Sequence, residues 1–292
     1  MQSALTIFAG RCGDRNPRAM AGASVIGERI AERLGIAPAL IGTPEPPLAT
    51  GWREELDAAL PALHRFAQHL DSVIGKGLRP VTTAGRCAAS LATLPVIARH
   101  FPDAAVVWFD AHADSNVPES SDTGYLGGLV LTGAAGLWPT GLGDALRLDN
   151  VILVGTRDLD PFERNLMERG TLKLVPPGKT LPDALRKAIG ERPVYIHLDC
   201  DVLMPGLVPS DYQVEGGLSL AELRNAFEIL AGNDVVGLEI AEYEDRWAAT
   251  GKPGHPDGLM DAIDPVLQQF RNSEQTSPAE LPEPGASAGT DT

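Results

Sequence analysis

Cysteine is scarce in this sequence: Cys12, Cys87 and Cys200 are the only three in 292 residues. Three scattered thiols exclude a disulfide framework and fit a reducing compartment, which reads as the cytoplasm. Basic charge is also short, with 24 Lys and Arg against 39 Asp and Glu and a net charge of −15. That balance argues against nucleic acid and against a membrane surface, both of which are bound through basic faces. No apolar run reaches the roughly 20 residues of a membrane-spanning helix. The first residues, MQSALTIFAGRCGDRNPRAM, carry no basic-then-apolar leader pattern.

What is present is an ordinary globular composition, 43% hydrophobic and 22% charged, in a chain long enough to bury one sizeable core. Short apolar runs alternate with stretches of helical period, the pattern of a parallel α/β sheet. Strands are expected at 5–9, 81–83, 105–109, 151–155, 172–175, 194–198 and 235–240, and helices at 52–74, 88–100, 181–189, 220–230 and 258–270. A single domain is therefore expected over 1–270. Residues 271–292 hold almost no large apolar side chain and read as a disordered tail.

Acidic residues collect just past the expected strand ends: Asp110 and Asp114, Asp158 and Asp160, Asp199 and Asp201, and Glu242. In an open α/β sheet that edge is where ligands bind. Asp110, His112 and Asp114 form D-x-H-x-D, and residues two apart in extended chain face one way. His197, Asp199 and Asp201 repeat the arrangement, with Cys200 on the opposite, core-filling face. Ionisable groups massed at a buried strand end are unfavourable unless compensated, and a divalent cation compensates them. The surplus acid could favour a cationic substrate, although excess acid more often serves only solubility.

The segments WFDAHADSN, HLDCDVLMPGLVPS and GLEIAEYED, in this order, resemble the signatures of the arginase/agmatinase ureohydrolase family, from about Val81 to Glu242. The resemblance implies a three-layer α/β/α fold around an eight-stranded, mostly parallel sheet. It implies a hydrolase of linear amidines with two Mn²⁺ per chain, and a small guanidino amino acid as substrate. Asp110 and Asp199 would bridge the metals, Asp114 would complete one site, and His112 and Asp201 the other. Hard oxygen ligands with an imidazole suit Mn²⁺. Asp114 and Glu242 would be catalytic, Glu242 by holding the guanidinium. Asn116, Thr123, Asp160 and Glu163 would hold the substrate's carboxylate and amino groups, although Asp160-Pro161 also reads as a helix start. Many members are trimers or hexamers, so a homo-oligomer is compatible with the resemblance.

Two positions depart from the family pattern. Where G-G-D-H-S supplies the first metal histidine, this chain reads Ala84-Gly85-Arg86-Cys87-Ala88. Cys87 is then a thiolate ligand that favours softer metals, or a buried thiol beside an under-coordinated metal. His197 would support the metal site from behind. Gly127 stands where arginases carry a proton-shuttling histidine. One branch of the family, which hydrolyses Nω-hydroxy-L-arginine to L-ornithine and hydroxyurea in D-cycloserine antibiotic biosynthesis, shares the cysteine and the D-T-G-Y-L-G-G run of Asp122 to Gly128. The glycine would leave room for the substrate's extra hydroxyl. The expected activity is thus cleavage of a guanidino or N-hydroxyguanidino group. Ordinary arginase, another ureohydrolase and a degenerate non-catalytic member are the alternatives.

Overall fold

Residues 2–272 are described by the structure, a computed structural model. Eight strands form one sheet: β1 (Ser3–Phe8), β2 (Ala39–Ile41), β3 (Arg79–Ala84), β4 (Ala105–Phe109), β5 (Val151–Val154), β6 (Lys173–Val175), β7 (Val194–Asp199) and β8 (Val235–Ala241). Their order is β2-β1-β3-β8-β7-β4-β5-β6, and every neighbouring pair is parallel. The expectation of a mostly parallel sheet becomes a wholly parallel one.

Among the described residues eight α-helices accompany the sheet: α1 (Arg18–Leu34), α2 (Trp52–Gly75), α3 (Ser90–His100), α4 (Val130–Ala134), α5 (Pro161–Glu168), α6 (Leu181–Ile189), α7 (Leu220–Leu230) and α8 (Asp257–Asn272). Two cores separate them. Ile196, Leu198 and Cys200 of the β7 region pack with α1, α6, α7 and α8, whereas Val106, Trp108 and Tyr195 face α2 and α3. Both sheet faces are thus covered, which is why the strands read as near-continuous apolar runs. Cys200 is 1% exposed and is the core filler its alternation implied.

Strands β4 and helices α6 and α7 fall where the sequence places them. Helix α7 has a clear start signal: Ser219 Oγ accepts from the Glu222 amide at 3.2 Å, and the Glu222 carboxylate accepts from the Ser219 amide at 2.9 Å. Four elements are additions to the expected set, α1, β2, α4 and α5, although Asp160-Pro161 had marked the start of α5. α1 carries Gly22 and Gly27, which weaken its helical signal, yet packing demands both. A Cβ on Gly22 would lie 1.8 Å from the Tyr243 carbonyl oxygen, and one on Gly27 2.4 Å from Ile7 Cγ1. β2 has only three residues and sits at the sheet edge. The expected tail needs a correction at its start, because Arg271 and Asn272 finish α8; its remainder, 273–292, lies outside the described residues. No helix among the described residues is long and apolar enough to cross a membrane.

Candidate metal centre and substrate pocket

The central strands deliver the acidic residues to one edge. Asp110 directly follows β4, Asp199 ends β7, Glu242 directly follows β8, and Cys87 opens a short 3₁₀ turn after β3. Because β3, β8, β7 and β4 are consecutive in the sheet, four loops far apart in sequence meet there. Donor atoms of Cys87, Asp110 and Asp114 lie within 4.8 Å of one another, as do those of Asp110, His112 and Asp201. Asp110 belongs to both groups, the position a bridging carboxylate requires. Cys87, Asp199 and Glu242 form a third such group. All six expected metal ligands are therefore brought together.

The chemistry of this donor set fits divalent cations. Burial, with Asp201 and Asp110 adding like charge, pushes the Asp199 carboxyl well above its ordinary range. Burial and Asp110 do the same to Asp114, and burial and Asp110 raise Asp201 to about 7. His112 Nδ1 lies 3.0 Å from Asp201 and 3.3 Å from Asp110; burial opposes its proton, but these two carboxylates outweigh it and raise its pKa. One imidazole cannot balance four carboxylates. Burial also pushes the Cys87 thiol up, and Asp199 and Asp114 add to the effect, so a thiolate there requires a cation.

Asp114 and Glu242 both have left-handed backbone, with φ of 46° and 63°. Non-glycine residues held this way are strained, and such strain gathers where geometry serves function. Behind the donors runs a buried polar row across adjacent strands, Trp108, His197 and Glu239. The Trp108 and His197 rings stack at 3.5 Å, and Trp108 Nε1 donates to Asp110 at 2.9 Å. His197 Nε2 is 3.2 Å from Cys87 Sγ and Nδ1 is 3.3 Å from Glu239, so His197 supports Cys87 from behind the donors. Ser90, Thr93 and Tyr195 donate to Glu239. Glu239 was missed in the sequence, where it reads as one more residue of an apolar strand.

A cavity of about 480 Å³ opens beside the donors, a size suited to an amino acid. Every expected substrate residue lines it: Asn116, Thr123, Asp160, Glu163 and Glu242. Asn116 Nδ2 donates to Asp160 at 2.7 Å. Asp160 also starts α5, where its amide donates to Glu163 at 3.0 Å, so the helix-start reading holds as well. Glu163 further accepts from the Ser115 amide at 2.9 Å, and burial raises its carboxyl.

Among the lining residues that were not anticipated are Arg15, Tyr125 and Tyr212. The Tyr125 ring corrects the reading of Gly127. A Cβ at Gly127 would lie 2.4 Å from Tyr125 Cε1, so the space the glycine frees is filled by that ring. Tyr125 Oη donates to Glu242 Oε1 at 3.4 Å. The only sequence signal was an aromatic residue two positions from a glycine.

Comparison with known proteins agrees with this geometry. The chain is 40% identical over 239 residues to the N(omega)-hydroxy-L-arginine amidinohydrolase of Streptomyces lavendulae, covering 82% of this chain and 87% of that one. It is 28% identical to the arginase of Bacillus caldovelox over 62% of this chain and 66% of that one. The crystal structure of arginase from Bacillus subtilis superposes with a TM-score of 0.77 at 22% identity, covering 92% of this chain and 98% of that one, which shows a shared fold. Fold, site and relatives together define a hydrolase acting on the C–N bonds of linear amidines. The chain belongs to the Arginase family, whose pattern it matches over residues 36–251.

Proposed function

We propose that this amidinohydrolase converts Nω-hydroxy-L-arginine to L-ornithine and hydroxyurea with two Mn²⁺ per chain, a step that would serve antibiotic biosynthesis. The observation that carries the reading is the donor set itself, in which Cys87 stands among the carboxylates. The 40% identity to a hydroxyarginine amidinohydrolase, against 28% to an arginase, supports the choice of substrate.

Asp110 and Asp199 would bridge the metals, Cys87 and Asp114 would complete one site, and His112 and Asp201 the other. Bound there, the metals supply Lewis acidity that brings the pKa of water toward about 7. Glu242 receives the substrate's terminal N–H groups. Asn116 and Thr123 face its α-carboxylate, and Asp160 and Glu163 its α-amino group. Such fixed placement of both ends is itself a large source of rate. Asp114, lying with Cys87 and Asp110, is assigned proton transfer toward the departing amine. Steady-state assays of both substrates with the Mn²⁺-loaded protein test the proposal. Higher kcat/KM for Nω-hydroxy-L-arginine is expected, and a clear preference for L-arginine refutes it.

A further inference from the structure

Arg86 is completely buried, at 0% exposure, and lies behind Glu242 outside the cavity lining. Its Nη1 donates to Glu242 Oε2 at 2.6 Å and its Nη2 to Asp211 at 2.9 Å, while Nε donates to Asp14 at 3.3 Å. The other oxygen of Glu242 accepts from the Cys87 amide at 3.0 Å and from Tyr125 Oη at 3.4 Å. Thus the carboxylate facing the substrate already has a guanidinium partner, one that cannot lose its proton. A cationic guanidinium arriving from the cavity would have to share that carboxylate with a buried like charge.

We propose that Arg86 is a positioning residue that tunes the pocket, through Glu242, to accept a neutral rather than a cationic guanidino-type head group. The proposal rests on the function given above and names the charge state of its substrate. An N-hydroxyguanidine is a weaker base than a guanidine. In its neutral form it donates N–H to Glu242 Oε1 without adding charge. The same arrangement disfavours L-arginine, whose head group stays cationic.

The test is binding calorimetry on the Mn²⁺-loaded protein with two ligands of nearly equal shape, L-citrulline, which is neutral, and L-arginine. The wild type is expected to bind L-citrulline at least as tightly. L-Arginine binding about tenfold tighter or more overturns the proposal. Arg86→Gln is expected to shift the ratio of the two dissociation constants toward L-arginine by about tenfold, and Arg86→Lys to keep the wild-type ratio. A folded Arg86→Gln protein with an unchanged ratio also overturns it. If that variant does not fold, the wild-type order alone decides. Ornithine release from Nω-hydroxy-L-arginine is measured separately: its absence refutes the proposed activity, whereas the binding order decides the role of Arg86.

Discussion

Chelation should make stability depend on pH in a way that metal reverses. In the metal-free protein the Asp201 carboxyl is raised from 3.8 to about 7 by burial and by Asp110. The unfolded chain ionises this group near its ordinary value, so the stability held by the protonated folded form is complete below about pH 3.8 and is lost as pH rises through about 7. Asp114 and Asp199 are raised too, and His112, raised by its carboxylate partners, acts with the same sign. Asp110 is lowered, but its effect falls below its ordinary 3.8. Between about pH 5 and its folded pKa Asp201 spans about two units, or about 3 kcal/mol at about 1.4 kcal/mol per unit. For a chain of this size that is roughly 6 °C in Tm. Metal takes the place of those protons, so the gap between Mn²⁺-loaded and EDTA-treated protein should widen by that amount from about pH 5 to about pH 8. Differential scanning fluorimetry at several pH values reads it directly. A gap that stays flat or narrows as pH rises would refute the reasoning.

Cys87→His is expected to raise Mn²⁺ affinity, measured by calorimetry, because imidazole suits this metal better than a thiolate; unchanged affinity places Cys87 outside the metal shell. Gly127→Ala puts a methyl group 2.4 Å from Tyr125 Cε1 and should cost about 1–3 kcal/mol in urea unfolding. Tyr125→Ala added to it should restore most of that loss, and failure to do so removes the collision as the cause. Gly22→Ala sets a Cβ 1.8 Å from a backbone oxygen that cannot rotate away, so a loss at or above about 3 kcal/mol is expected. An unchanged Tm would show that α1 is free to shift.

What was legible in the sequence was whatever lay within one contiguous segment. Asp110, His112 and Asp114 follow the end of β4 and Asp199 and Asp201 lie at the end of β7, so their nearness to strand ends announced the shared edge, although Asp114 is held in left-handed rather than extended backbone. The helices and strands with uninterrupted periodicity were found for the same reason. α1 escaped because Gly22 and Gly27 are chosen for close approach to Tyr243 and Ile7, against local helix preference. The surroundings of Glu242 escaped for a different reason. Arg86 lies 156 residues from Glu242 and 125 from Asp211, and no local pattern announces such a pairing. Tyr125 reaches Glu242 across 117 residues. Loops assembled by the sheet, rather than any motif, make these contacts.

The ring of Tyr125 and a side chain at position 127 are rival occupants of one volume. A lineage that gains the second while keeping the first passes through a crowded intermediate, and one that loses the first while keeping glycine passes through a hollow one. The two positions are therefore energetically coupled, so the cost of a substitution at one depends on the residue at the other. A single substitution at either position would misreport that residue's contribution, because each value is conditional on the other occupant.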